Sequence, residues 1–303
     1  MGVGASHPYR RLGSFRVPYA SFPSATEPPI RILLFLSLLL LLTGVLYLSS
    51  PALARHLLFL PSRADPGPAP ILAGVRGRDV RISASDGAGL HAWWFSVPEA
   101  PAVLLLHGNA GHIGDREPLA LGLVERGLSV LLLEYRGYGK SEGRPSEEGL
   151  ALDARAGYEF LRAKDGEVGG IVIFGRSMGG AVAAGLAAAT DPDGLVLEAT
   201  FTSLEAMARD LYPFLPGFLF GRLDGHFSTV GALEGVEAPV LVIHGTRDEI
   251  VPLRMGMEVL EAAGASAEWM PVAGAEHNDV HLVGGDAYFD GVADFVRGCV
   301  GGS

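Results

Sequence analysis

The hydrophobic pattern changes character twice along this chain, and each change marks a different kind of segment. Residues 1–29 show no apolar periodicity, are punctuated by proline and serine, and carry Arg10, Arg11, Arg16 and Glu27 as their charges. Such a stretch cannot bury enough apolar surface to order itself and predicts disorder. From Ile32 to Leu48 seventeen residues then pass without a charge. As a helix they span about 25 Å, and extension to residues 30–50, with Arg31 reaching back to the headgroups, matches a hydrocarbon core of about 30 Å. A core helix of a soluble domain would carry a polar face, whereas only Ser37 and Thr43 interrupt this run. The pattern predicts a transmembrane helix.

Residues 51–70 are proline-rich and predict a linker, with Leu57 to Leu60 available to pack on the domain beyond it. From residue 71 the pattern becomes that of a folded domain running to 303. Val80–Ser83 and Leu90–Val97 predict two strands joined through Asp86-Gly87, a hairpin turn signal. Beyond Ala102, Val103–His107, Ser129–Glu134, Ile171–Phe174, Leu195–Leu197, Val240–Ile243 and Trp269–Val272 predict further strands. All but the last are continuously apolar, as parallel strands covered on both faces are. Helical stretches lie between them. One starts at Ser146, an N-cap residue followed by Glu147 and Glu148 at the positive end of the helix dipole, and shows Leu150, Ala154, Tyr158 and Leu161 on one face. The last helix is expected to bury Phe289, Val292, Phe295 and Val296. Alternating strand and helix behind a hairpin predict an α/β fold: a mostly parallel, doubly covered sheet with an N-terminal antiparallel hairpin, in a single domain.

Composition narrows the function classes. The formal charge of −11 argues against a nucleic-acid partner, since phosphate binding needs a basic surface. Cys299, the one cysteine, cannot form an internal disulfide and reads as a small packed hydrophobe. Arginines lie before the apolar span, and Arg55 and Arg63 after it. Positive-inside bias therefore gives a membrane-anchored protein with a cytoplasmic N-terminus and the folded domain outside. Ala52-Leu53-Ala54 also has the form of a signal-peptidase site, so a cleaved signal is the alternative to an anchor. The long preceding region favours the anchor.

Candidate chemistry sits at the ends of the predicted strands. Ile171–Phe174 runs into Gly175-Arg176-Ser177-Met178-Gly179, and a small-residue helix comes at once after it. That is the strand–turn–helix context in which Gly-x-Ser-x-Gly holds a serine hydroxyl exposed. His107-Gly108-Asn109-Ala110-Gly111-His112 lies after the first buried parallel strand, in the place where such a fold supplies one backbone oxyanion donor. The residue after the serine supplies the other, which assigns the N–H groups of Asn109 and Met178. His107, His112 and Asp115 match no common zinc spacing. Asp248 leaves the strand at Val240–Ile243, with Glu249 and Glu198 as competing acids. His277 lies after the last strand, with His281 close by, and His244 lies inside a strand. Order distinguishes His277: Ser177, Asp248, His277 is the Ser…Asp…His order expected of this scaffold.

Taken together these motifs resemble the α/β-hydrolase superfamily, and more narrowly the membrane-anchored alpha/beta-hydrolase-domain-containing proteins, filed near the serine aminopeptidases. The likeness rests on His107 to Gly114, Tyr135-Arg136-Gly137-Tyr138-Gly139-Lys140-Ser141-Glu142-Gly143, Pro145 to Gly149, Gly175 to Gly180, Thr200-Phe201-Thr202-Ser203 and His277-Asn278-Asp279. It covers the chain from about Leu57 to Val300. The resemblance implies Ser177 as nucleophile, His277 as base, Asp248 as acid, and an N-terminal anchor. Where the family usually has leucine after the serine this chain has Met178, which leaves the backbone donor unchanged. The expected activity is hydrolysis of a carboxylic ester or thioester, including lipid acyl groups, through an acyl-enzyme and with no cofactor or metal. A peptidase or aminopeptidase on the same scaffold is the alternative, and a non-catalytic membrane-tethered binding protein a third. Between Leu197 and Val240 a short lid is expected, where Leu211, Tyr212, Phe214, Leu215, Phe218, Leu219 and Phe220 line either an acyl pocket or ordinary helix packing.

Overall fold

The computed structural model describes Met1 and residues 58–301, apart from 165, 215, 217–219, 221–222 and 224. Residues 2–29, the segment 30–50 and residues 51–57 of the linker therefore fall outside the described residues, the predicted transmembrane helix among them. Among the described residues no helix is long and apolar enough to cross a membrane.

The apolar runs become strands of one eight-stranded sheet. In chain order these are β1 (Arg78–Ser83), β2 (Gly89–Phe95), β3 (Ala102–Leu106), β4 (Ser129–Glu134), β5 (Ile171–Arg176), β6 (Gly194–Glu198), β7 (Val240–Gly245) and β8 (Glu268–Val272). They lie side by side as β8-β7-β6-β5-β3-β4-β2-β1. The hairpin partners β1 and β2 pair antiparallel, β2 pairs antiparallel with β4, and every pair from β4 to β8 is parallel. The mostly parallel sheet with an antiparallel hairpin in front is the architecture the apolar runs predict. β5 and β6 run further than those runs, because each ends in a buried charged residue, Arg176 and Glu198.

Alternation along the strands feeds two cores, since successive side chains point to opposite faces. Leu104 and Leu106 join one layer, under α2 (Glu147–Arg162), α3 (Met178–Ala188) and α6 (Leu253–Ala263). Val103 and Leu105 join the other, under α1 (Glu117–Glu125) and α7 (Val280–Gly301). Ser146 caps α2 by accepting from Gly149 N–H at 3.1 Å. α7 is broken at Gly285, whose φ of 53° glycine adopts without steric cost. Tyr288 is buried, and Phe289 is partly buried, its ring packed over Gly122 with Arg126 on it. The helical face expected from the sequence is buried at Val292, Phe295 and Val296 and partly at Phe289, and Tyr288 joins it.

The end of the linker packs on the domain, as its apolar run at residues 57–60 suggests. Phe59 is buried, its ring lies 6.1 Å from that of Phe227, and Leu60–Pro61 pairs in parallel with Ala110–Gly111. Between β6 and β7 the chain forms two short helices, α4 (Leu204–Leu211) and α5 (Thr229–Leu233). Leu211, Tyr212 and Phe214 are exposed there, whereas Phe220 is buried. Cys299 lies on α7, half-buried against Gly194.

Candidate active site

The candidate residues named from sequence gather at the C-terminal ends of the parallel strands, beside the point where β4 and β5 flank β3 on opposite sides. In open α/β sheets that is where ligands bind. β5 turns into α3 at Ser177, whose backbone takes φ 54° and ψ −123°. A non-glycine residue in that region carries strain of about 1–3 kcal/mol, held here by its surroundings. Ser177 N–H donates to the Glu198 carbonyl at 2.8 Å, and the Thr200 hydroxyl donates to the Ser177 carbonyl at 2.9 Å. A Cβ on Gly179 would stand 2.2 Å from the Leu106 carbonyl oxygen, and one on Gly175 2.3 Å from that of Gly179. Only glycine fits at either position. Gly180 is under the same constraint, 2.4 Å from the Thr200 hydroxyl oxygen.

Three side chains from three strand ends form one hydrogen-bonded chain. Ser177 Oγ lies 3.1 Å from His277 Nε2, and His277 Nδ1 lies 2.8 Å from Asp248 Oδ2. A carboxylate acceptor at Nδ1 places the imidazole proton there and leaves Nε2 free to accept from the serine hydroxyl. Asp248 and His277 are both buried. Burial by itself would raise the Asp248 pKa, but the hydrogen bond and charge of His277 and the amides of Val251 and Ile250 outweigh it and hold the carboxyl below its usual value. Those amides donate to Asp248 Oδ1 at 2.8 and 2.9 Å.

The Asn109 and Met178 amides lie on the two loops flanking Ser177. Met178 is the first residue of α3, where an N–H has no intrahelical partner. The Asn109 main chain is braced on its other side. Its carbonyl accepts from Leu60 N–H at 2.9 Å and from the Tyr138 hydroxyl at 2.8 Å, while its side-chain amide donates to the Leu58 carbonyl at 3.1 Å. A Cβ on Gly108 would reach 3.4 Å from Ser177 Cβ, so this loop passes directly over the serine.

The competing candidates have other work. Glu249 is exposed. Glu198 is fully buried and accepts from Arg176 Nε at 2.8 Å and from the Tyr288 hydroxyl. His226 pairs with Glu147. His112 accepts from Gly114 N–H at 3.1 Å, its main-chain N–H is taken by Asp115, and His107 Nδ1 lies 2.7 Å from the Gly108 carbonyl. Among the described residues no group of three or more His, Cys, Asp or Glu side chains is placed to hold a metal ion.

Four neighbours of these residues take positions that the sequence alone does not assign to them. His244 Nε2 donates to the Val251 carbonyl at 2.9 Å and lies 3.4 Å from Asp248 Oδ2. Burial, the largest influence on it, lowers its pKa and keeps the ring neutral. Arg176, Glu198 and Tyr288 form a buried cluster beneath the serine. The available signal was a charged residue ending each of two adjacent apolar runs.

Comparison with known proteins agrees with this architecture. The family model described as serine aminopeptidase, S33, matches residues 98–229. An uncharacterized protein of Mycobacterium tuberculosis is 42% identical over 248 residues, covering 80% of this chain and 86% of its own. Alpha/beta hydrolase domain-containing protein WAV2 of Arabidopsis thaliana is 36% identical over 233 residues, covering 70% of this chain and 75% of its own. Among solved structures, an esterase of Pyrococcus furiosus superposes with a TM-score of 0.66 at 22% identity, over 80% of this chain and 98% of that one. Fold and strand-end site together define an α/β hydrolase. Within that class, the chain belongs to the family of alpha/beta-hydrolase-domain-containing proteins.

Proposed function

We propose that the protein is a serine hydrolase that cleaves carboxylic ester or thioester bonds through an acyl-enzyme on Ser177. The observation carrying this reading is the hydrogen-bonded chain Ser177–His277–Asp248, at 3.1 and 2.8 Å. A serine hydroxyl is protonated at neutral pH and attacks a carbonyl only as its proton leaves. His277 Nε2 accepts that proton and then gives it to the leaving group. Asp248 fixes the tautomer and stabilises the imidazolium. The carbonyl oxygen becomes an oxyanion held by the Asn109 and Met178 amides, with one such donor worth about 3 kcal/mol of transition-state stabilisation. Water, activated by the same histidine, then releases the acyl group.

The exposed Leu211, Tyr212 and Phe214 support an apolar acyl group, and the uncharged run at Ile32–Leu48 supports a membrane-held enzyme acting on lipid acyl esters. A fluorophosphonate probe is expected to label the intact protein and to fail on Ser177→Ala, with hydrolysis of p-nitrophenyl esters lost in parallel. An unlabelled intact protein would sink the reading. Peptide hydrolysis is the second reading, favoured by the family model described as an aminopeptidase. Comparison of aminoacyl anilide and acyl ester turnover separates the two.

A further inference from the structure

The residue preceding Ser177 points away from the site. Arg176 is 5% exposed and faces Glu198 and Tyr288, themselves 0% and 2% exposed. Its guanidinium is shared out. Nε donates to Glu198 Oε1 at 2.8 Å, and Nη2 donates to the His277 carbonyl at 2.6 Å and to Asn278 Oδ1 at 3.2 Å. The other Glu198 oxygen accepts the Tyr288 hydroxyl. The Glu198 main chain in turn accepts from Ser177 N–H at 2.8 Å. One cluster thus touches the main chain on both sides of the Ser177–His277 hydrogen bond.

Stability alone is a poor reason to bury this pair. Desolvating a guanidinium and a carboxylate costs much of what their attraction returns, and apolar residues of similar volume often do as well. An apolar pair, however, could not hold a carbonyl. Lysine at 176 could not either while also holding Glu198, because only the planar fork presents donors in two fixed directions. We propose that Arg176 is a positioning residue: its guanidinium, oriented by Glu198 and Tyr288, holds the His277 main chain so that the imidazole stays in line between Asp248 and Ser177. The proposal rests on the reading of Ser177 and His277 as nucleophile and base.

The cluster is also an electrostatic device, because it sets a compensated charge pair beside the base. Beside His277 stand Asp248 from the loop after β7, His244 from β7 and Arg176 from β5, with Glu198 of β6 behind the arginine. The charge pair itself is faced by Arg116 from the turn before α1 and by His281 and Tyr288 from α7, with Asp279 beside His281. Removing the cation leaves Glu198 uncompensated and favours the imidazolium; removing the carboxylate leaves Arg176 uncompensated and disfavours it. The two substitutions therefore act in opposite directions.

The test compares Arg176→Gln, Arg176→Lys, Glu198→Gln and Tyr288→Phe in the full-length protein, using a soluble short-chain ester. Arg176→Gln and Arg176→Lys are expected to lower kcat about 100-fold, the loss typical of a misplaced catalytic group, with KM changed less than about threefold. The acid limb of the kcat/KM profile is expected to move to higher pH in Arg176→Gln and to lower pH in Glu198→Gln. Tyr288→Phe, the mildest change, lowers kcat a few-fold and keeps the fold. Unchanged kcat in the arginine variants, or acid limbs moving together, overturns the proposal. The low-field proton resonance of the His277–Asp248 hydrogen bond provides a readout independent of turnover. It is expected to broaden in Arg176→Lys, and a sharp resonance there counts against the proposal. Absence of Ser177-dependent turnover in the unsubstituted protein would instead overturn the hydrolase reading.

Discussion

Asp248 is held by more partners than a carboxylate facing one imidazole requires. One oxygen takes two loop amides, and the other faces both His277 and the neutral His244. Its orientation is built into the loop after β7 rather than imposed by His277. Asp248→Asn should therefore leave the fold intact while presenting the wrong hydrogen-bond partner to Nδ1. The expected loss in kcat is about 10⁴-fold, as for the same change in a comparable triad, measured against ester turnover with circular dichroism as the folding control. Ser177, Asp248 and His277 were legible because each sits in a local motif and their order is informative. Arg176 and Glu198 were legible as residues but not as partners. They meet because they are register mates on adjacent parallel strands, and neither periodicity nor spacing reveals which strands lie side by side. His244 looked like an ordinary strand residue for the same reason.

At the scale of elements, the loop after β3 is held by the segment that precedes the sheet. Leu58, Leu60 and Tyr138 make three hydrogen bonds to Asn109, and Leu60–Pro61 adds a short parallel pairing to Ala110–Gly111. The neighbouring loop after β4 is tied in turn by Arg136, whose Nε donates to Asp153 at 2.9 Å and whose Nη1 donates to Asp86 at 2.6 Å. Tyr138→Phe keeps the ring but removes the hydroxyl. It should lower kcat about tenfold through a loosened oxyanion loop, with KM nearly unchanged. Asn109→Ala keeps the backbone donor and should do the same to a similar degree. Steady-state kinetics on a soluble ester checks both, and a rise in KM alone would contradict the assignment. The long strands were legible from their apolar runs, and α2 from its cap and face. The two-residue pairing at Leu60–Pro61 carries no periodicity to detect, and α4 and α5 are too short to show a clear one. Tyr288 lies one turn before Val292 on the same helical face, so spacing could have found it; the expected face has its aromatic neighbour Phe289 in its place.

For the molecule as a whole, buried histidines make stability depend on pH. His107 is 1% exposed, and burial, followed by the charge of Arg116, lowers its pKa from 6.5 to about 4. The unfolded chain takes up a proton near pH 6.5 while the folded ring stays neutral. The contribution is thus fully present above that pH and is lost as the pH falls toward 4. Across that window His107 costs about 3 kcal/mol, and His244 and His281 shift in the same direction. Urea unfolding at pH 7 and pH 4.5 should show this decline, and His107→Asn should flatten it; equal slopes would exclude His107 as the source. The carboxyl of Asp248, lowered in the fold, adds a loss only at more acidic pH.

The half-buried Cys299 has a practical consequence. Burial, then the charges of Glu268 and Asp193, push its thiol up to about 11. Only about one molecule in 10⁴ carries the reactive thiolate at pH 7. As the chain has one cysteine, its background toward maleimides is close to nil. A cysteine introduced at exposed Tyr212 would accept a fluorophore almost alone, so that movement of the segment after α4 could be followed as substrate arrives.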